Sequence, residues 1–565
     1  MPLVYTVNLT GMSADERFTA ICLQGIANRK GPRVYLNPGD TVRWMQLPID
    51  KASNPAGSAT WAAEISTHYK SIGDYWIDDL TKRGICTFQT VSLSDLFIKL
   101  SPELSGRIAY GSVDDDISIA ATMAGVKSAL PMTDVVYAQL VANNKSSLKT
   151  IFDVRSLYAK YDPAASKRIS AHQWMVDNVI KDCGTTGAIS RNKTYGLDLH
   201  DTIVDVDMGV EHKWATFDLN YLSEQTRNER DKPDPKFGFA LPDAPLIDKV
   251  LKRLKPFSPV YGWGSPDENN TCRRITMDNC VLICGGCGNG SFYAALPRAG
   301  GKFRQPGATQ AIGTPEKKIY VAFMTNEGDT IKNAANLQCL TWAQPERGTL
   351  PVNWGVDPLI YRDFPGLMGY YMATATPNDY FFAATAGWGY THPERLPDDR
   401  VLPYADQVRA GLDLAKTPII DIWWAGGLRA KNLFFPFLNH TDAKGLTAWS
   451  DHQGVEYSPI DGTPIIHSNY YYTLDKQTPE QFAAKMTTDL SGIKGPWFVV
   501  VYGGTPYKFA QVAQRLSVSR FEPVKLDRFF ELARKARPEI EGKIWKPANA
   551  GKPEAAPGAG DAQTK

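Results

Sequence analysis

The chain of 565 residues has no run of about 18 or more apolar residues, so its sequence predicts no membrane-spanning helix. Met1 to Thr10 lacks a charged segment followed by an apolar one, and no signal peptide is expected in this chain. An excess of one charge is also absent: 62 basic and 60 acidic residues leave a formal net charge of +2. Such a balance provides no domain-scale basic field, so neither nucleic acid nor an anionic membrane is an expected partner. Familiar catalytic motifs are missing: there is no GxxxxGK[ST] loop, no GxSxG elbow and no HExxH helix. Gly285-Gly286-Cys287-Gly288-Asn289-Gly290 is glycine-rich but lacks the following Lys-Ser/Thr and reads as a flexible loop. No cofactor is expected.

Cysteine is sparse, with eight in the chain. Cys272, Cys280, Cys284 and Cys287 lie close together, and Cys284-Gly-Gly-Cys287 has the spacing of a zinc or redox pair. A structural zinc site needs a second such pair or histidines, and the wider Cys272/Cys280 spacing does not supply one. The cysteines therefore read as inert or disulfide-bonded, with metal and redox chemistry as alternatives.

Aromatic residues are plentiful: 14 Trp, 25 Tyr and 23 Phe, many beside Gly and Pro. Rings on loops suit the flat CH faces of sugars, although large α/β proteins also bury many rings. The length allows about three domains. Asp15 to Arg29 reads as a helix with Phe18, Ile21, Cys22 and Ile26 on one face, followed by a strand over Arg33 to Leu36. Arg107 to Tyr110 reads as another strand, and Ile117 to Val126 as helix. Pro163 to Ser170 and Asn228 to Lys236 read as polar breaks.

From Pro259 onward one pattern recurs: a short apolar run, then Gly, aromatic and polar residues. It appears at Pro259–Tyr261, Ile319–Met324, Tyr380–Ala384, Pro418–Ile420, Pro464–Ile466 and Trp497–Val501. The intervals of roughly 35–60 residues leave room for a helix between runs. This is the layout of a β/α barrel, complete or distorted, whose chemistry lies in the loops after the strands. An open doubly wound sheet would also bind its ligand at strand C-termini. Lys525 to Ala536 reads as an amphipathic helix, and Lys546 to Lys565 as a disordered Ala/Gly/Pro-rich tail.

Several carboxyls follow the apolar runs. Glu327 and Asp329 flank Gly328 after Ile319–Met324, and can serve as catalytic acids, as oxygen ligands for a hard cation, or in Asp329's case as a helix cap. Glu268 follows Gly262-Trp263-Gly264 and is the natural second carboxyl, with Asp267 beside it. Asp421 stands next to Trp423 and Trp424 as a third acid or a buried hydrogen-bonding group. Arg347, before Gly348, either orients an acid, binds an acidic sugar or forms a surface ion pair. His467 and His440 are isolated and read as structural.

Gly387-Trp388-Gly389-Tyr390-Thr391-His392-Pro393 matches the motif GxGYxYP except that His392 stands in place of Tyr. Two glycines and a closing proline make a rigid loop presenting Trp388, Tyr390 and His392. Leu23 to Arg29 with Gly31-Pro32-Arg33, Glu327-Gly328-Asp329-Thr330, and Arg347-Gly348 with Pro351 and Trp354 follow in matching order. Together these segments resemble the GxGYxYP putative glycoside hydrolase family. The resemblance implies an N-terminal α/β region, a C-terminal glycosidase domain and a secreted or periplasmic protein; it implies no established reaction. The expected division is an N-terminal α/β domain over 1–150, a connecting α/β region over 151–250, a barrel-like domain over 251–545 and a tail over 546–565.

The leading expectation is a glycoside hydrolase using Glu327, Asp329 and Glu268, with Trp388, Tyr390, His392, Arg347, Asp421, Trp424 and Trp263 binding an oligo- or polysaccharide. The alternatives are a non-catalytic carbohydrate-binding protein and a metal-dependent hydrolase such as a deacetylase.

Overall fold

Ser13 starts the first helix: its hydroxyl caps Glu16 N, and the Glu16 carboxylate returns to Ser13 N at 2.8 Å. The helix runs Ala14–Asn28 and buries Phe18, Cys22 and Ile26 on its apolar face. A computed structural model of the chain describes residues 1–38, 72–111, 113–142, 147–160, 167–191, 205–219, 243–262, 264, 268–284, 287–298, 303–307, 312–325, 331, 334–335, 338–422, 426–450, 452–471 and 473–545. It is a mixed α/β protein whose described residues divide into two units at Pro297/Arg298.

Among the described residues the first unit holds three small sheets, all of parallel strands. β1 (Leu3–Asn8) lies between β2 (Val34–Asn37) and β3 (Thr87–Thr90). β4 (Arg107–Ala109) lies between β5 (Leu130–Met132) and β6 (Thr150–Asp153). The third sheet contains β7 (Ala188–Ser190), β8 (Ala215–Phe217), β9 (Pro259–Gly262) and β10 (Val281–Cys284), in the order β10-β9-β7-β8.

Family-like residues around the first helix hold this unit together. Gln24 Nε2 donates to Val34 O at 3.1 Å and to Asn289 Oδ1 at 2.6 Å. Asn28 Nδ2 donates to Val34 O at 3.1 Å and Ser291 Oγ at 3.0 Å. The Arg29 guanidinium donates to the carbonyls of Gly125, Val210 and Glu211, satisfying acceptors near two helix ends. At Gly25 a Cβ would meet Asp207 O at 2.3 Å, so only glycine admits the helix Val206–His212 this closely.

Among the described residues the second unit is built on one ten-stranded sheet. Its strands are β11 (Ile319–Met324), β12 (Val352–Val356), β13 (Asp379–Ala383), β14 (Ile419–Ile422), β15 (Gly445–Trp449), β16 (Gln453–Tyr457), β17 (Pro464–Ser468), β18 (Trp497–Tyr502), β19 (Phe521–Pro523) and β20 (Ile544–Trp545). The order is β18-β11-β12-β13-β14-β15-β17-β16-β20, with β19 beside β11; every pairing is parallel except the two made by β16. The sheet curls as a half-barrel. Tyr502 N, at the end of β18, donates to Tyr470 O, after β17, at 3.1 Å, and an isolated parallel bridge joins Tyr471 to Tyr502.

The sequence expectation needs correction in two places. Pro259–Gly262, read as the first strand of the barrel pattern, pairs instead with β7 and β10 in the first unit. An apolar run signals a buried strand without saying which sheet it joins. The helix Lys167–Asn178 also begins inside the supposed break Pro163 to Ser170. The loop Asn228 to Lys236 and the tail 546–565 lie outside the described residues. Among the described residues no helix is long and apolar enough to cross a membrane.

Candidate functional site at the strand C-termini

Side chains alternate along each strand. Following that alternation through the parallel registers puts Met324, Gly355, Asp421, Thr447, Ser468 and Tyr502 on one face of the curled sheet. Contacts across that face show that it is concave. The Tyr471 hydroxyl donates to Asp421 Oδ1 at 2.7 Å, and the Tyr471 ring stacks on Tyr502 at 4.5 Å with 10° between planes. Asp421 belongs to β14 and Tyr502 to β18, which are not neighbours in the sheet.

Asp421 is the hub of this face. It is fully buried, yet its Oδ1 accepts from both the Tyr471 hydroxyl and Thr447 Oγ1, the latter at 2.5 Å. Hydroxyl donors on a buried carboxyl offset much of the desolvation cost. Burial, and then the Asp421 charge, push the Tyr471 phenol well above its ordinary pKa, so Tyr471 remains a hydrogen-bond donor. Ser468 Oγ, on the same face, donates to Val500 O at 2.7 Å and fastens β17 to β18.

Asp357 follows β12 and is a second fully buried carboxyl. Its Oδ1 caps the helix Pro358–Asp363 by accepting from Leu359 N at 2.8 Å, and also accepts from Gly389 N at 3.1 Å. Its Oδ2 has no hydrogen-bond partner among the described residues. Burial pushes the carboxyl up to about 7, against the lowering effect of the two backbone N–H groups.

The motif loop follows β13. Gly387 and Gly389 have φ of +86° and +66°, and a Cβ on Gly387 would stand 2.6 Å from Val408 Cγ1. Both glycines are thus required by backbone conformation, and Gly387 by space as well. The sequence predicted a loop that presents its rings. Trp388 and Tyr390 are instead 4% exposed and His392 is 0% exposed. Trp388 packs on Gly411, where a Cβ would meet its ring at 2.9 Å, while the Tyr404 hydroxyl holds Trp388 O at 2.9 Å. Tyr390 stacks with His392 at 5.9 Å, and His392 Nδ1 lies 3.1 Å from Glu394 Oε1. In the described structure these rings stiffen the loop.

Arg347 stands elsewhere. Its Nη1 donates to Asp379 Oδ2 at 2.8 Å and its Nε to Trp342 O at 2.6 Å, with the guanidinium 4.2 Å above the Trp342 ring. Trp354 Nε1 donates to the other Asp379 oxygen at 2.8 Å. Asp379 is the first residue of β13, so Arg347 and Trp354 lock the N-terminal end of the strands, away from the mouth. Glu268 begins the helix Glu268–Met277 of the first unit, after β9. Glu327, Asp329, Trp263, Asp267 and Trp424 lie outside the described residues. His467 points to the opposite face from Ser468, where its Nε2 is 3.2 Å from Glu456 Oε2 and Arg429 clamps Glu456 through both Nη atoms. All eight cysteines are buried and none forms a disulfide. Among the described residues no group of three or more His, Cys, Asp or Glu is placed to hold a metal ion.

The sequence reading missed Asp357, Thr447, Tyr471 and Tyr502. For Asp357 a signal existed: an Asp-Pro step directly after a short apolar segment marks a capped helix start at a strand end.

Residues 317–534 match the domain described as GxGYxYP putative glycoside hydrolase C-terminal domain, and residues 3–71 match GxGYxYP_N 1st domain. No curated protein matches the sequence. The fold is similar to the crystal structure of a putative hydrolase from Bacteroides thetaiotaomicron, with a TM-score of 0.71 over 95% of each chain at 17% identity. At that identity the similarity speaks for the fold alone. With both family domains matched in order, the chain belongs to the GxGYxYP putative glycoside hydrolase family.

Proposed function

We propose that this protein is a glycoside hydrolase that cleaves an oligo- or polysaccharide at the mouth formed by the C-terminal ends of the parallel strands β11 to β15, β17 and β18. The carrying observation is Asp421, a fully buried carboxyl held by two hydroxyls on the concave face. Folds of this kind place their chemistry at strand C-termini. The hydrogen bond from β18 back to the residues after β17 supports reading the curled sheet as a distorted β/α barrel. Glu327 and Asp329, which follow β11 in the sequence, are proposed as further acids of this mouth, and Trp424, which follows β14, as a sugar-stacking ring. The motif loop with Trp388, Tyr390 and His392 supplies its rigid wall. Glu268 and Trp263 follow a strand of the first unit and are not assigned to it. An exported protein meeting an extracellular glycan fits this reading.

A screen of oligo- and polysaccharides for released reducing ends tests the proposal, with Asp421→Asn and Asp329→Asn as controls. Turnover that falls by about 10²-fold or more in Asp421→Asn supports it, because that is the least a positioned acid or base contributes. Tight binding without turnover would favour a carbohydrate-binding protein. Turnover abolished by a chelator and restored by a divalent ion would favour a metal-dependent hydrolase.

A further inference from the structure

We infer that Asp357 and Asp421 form the working pair of this mouth: Asp357 gives a proton to the departing glycosidic oxygen, and Asp421 activates the attacking water. The inference rests on the glycosidase reading above and assigns its two chemical roles.

The geometry comes from register. Val356 pairs with Ala383, and Ala383 with Ile420. One residue further on, Asp357, Ala384 and Asp421 fall in a single row across β12, β13 and β14. Pleat alternation puts Asp421 on the same concave side as Thr447, and, carried one residue past the end of β12, puts Asp357 on the side of Gly355. At about 4.8 Å per strand, two strands apart is about 10 Å between backbones, and a concave face brings side chains closer than that. Carboxyls in inverting glycosidases stand roughly 6.5–9.5 Å apart, with room for water between them. Ala384, between them, carries only a methyl group.

The two environments differ as the roles require. Asp357 uses only Oδ1 to hold Leu359 N and Gly389 N, while Oδ2 has no partner among the described residues, which suits it to carry a proton. Capping alone needs no second oxygen and no burial. Asp421 accepts from two hydroxyls, as an acceptor-only carboxylate does. A pair of carboxyls with such unlike surroundings is the pattern of an acid and a base working together.

The bond from the anomeric carbon to the leaving oxygen breaks, and that oxygen takes the Asp357 proton. The water oxygen bonds to the anomeric carbon from the other side, and its proton passes to Asp421. One water is consumed, two hydroxyl-bearing products form with inverted configuration, and Asp357 regains a proton as Asp421 loses one to solvent.

The test compares 4-nitrophenyl and methyl glycosides of the sugar that the wild type cleaves. Nitrophenolate leaves without a proton, whereas methoxide does not. Asp357→Asn, which keeps the cap, is expected to lose about 10³-fold on the methyl glycoside and tenfold or less on the nitrophenyl glycoside. Asp421→Asn is expected to lose about 10³-fold on both. Equal losses in Asp357→Asn, or less than tenfold loss in either variant on the methyl glycoside, would overturn the pair while leaving the glycosidase reading intact. Retained configuration in the product, read by NMR, would overturn the water-activating role of Asp421. If Asp421→Asn does not fold, Tyr471→Phe removes one of its donors and should depress both substrates together; an unchanged rate on both would overturn the assignment. A wild type that cleaves no glycoside would overturn the glycosidase reading, and the pair with it.

Discussion

Gly389 donates its backbone N–H to Asp357 Oδ1 at 3.1 Å, so the motif loop after β13 is tied to the end of β12 by one buried carboxyl oxygen. The family's signature glycine therefore meets an acid that lies 32 residues earlier in the chain. That contact makes loop position and the chemistry of Asp357 a single structural matter.

The first prediction concerns pH. Burial raises Asp357 from 3.8 to about 7, so the folded state binds its proton more tightly than the unfolded chain does. Its contribution to stability is then fully present below about pH 4 and is lost as pH rises through about 7. Asp357→Asn does not titrate. The stability of the wild type relative to this variant should fall by on the order of a few kcal/mol between pH 4 and pH 8. Denaturant unfolding of both proteins across that range checks it; parallel curves would contradict it.

Gly387→Ala should destabilise the second unit. The position has φ of +86°, and the new methyl would meet Val408 Cγ1 at 2.6 Å. Left-handed backbone and overpacking each cost about 1–3 kcal/mol, so thermal unfolding should show a clear drop. A variant as stable as the wild type would mean that the loop rearranges freely.

Arg347→Ala should act on stability and leave the chemistry of folded molecules unchanged. It removes the cationic partner of the Asp379 carboxylate, which is 0% exposed at the N-terminal end of β13 and keeps its neutral donors Trp354 and Thr376. Removing one partner of a buried pair costs about 3–5 kcal/mol. Kinetics on the folded fraction should show an unaltered KM; a raised KM with normal stability would return Arg347 to substrate binding.

The thiols give a fourth check. All eight cysteines are buried and none forms a disulfide, so a thiol reagent should react slowly with native protein and titrate eight groups after unfolding. Cys287→Ser should leave turnover unchanged. Fewer than eight thiols in the unfolded, unreduced protein would reveal a disulfide.

Much of the second unit was legible in its apolar runs. Ile319–Met324, Ile419–Ile422, Pro464–Ser468 and Trp497–Tyr502 are strands that the sequence marks by β-branched and aromatic residues ending at Gly or polar positions. β12 and β15 escaped, because Val352-Asn353-Trp354-Gly355-Val356 and Gly445-Leu446-Thr447-Ala448-Trp449 mix glycine and polar residues into the run. Their polar members make sense only in three dimensions. Asn353 Nδ2 donates to Phe323 O on the neighbouring strand, and Thr447 meets Asp421 on the strand next to it. Asp357 was lost along with β12. Asp421 was found because it stands in an apolar run, but its partner Tyr471 lies 50 residues away, beyond any local pattern. Arg347 and Trp354 were read as neighbours in a motif; that both serve Asp379 could be learned only from the folded chain.

The most direct measurement is a crystal structure with a sugar or a cationic iminosugar bound. The account predicts the ligand on the concave face, with a ring hydroxyl or ring nitrogen within about 2.6–3.2 Å of Asp421 and the motif loop beside it. A ligand bound only elsewhere, with Asp421 and Tyr471 still sealed from it, would contradict the central claim that the mouth of the curled sheet is the active site.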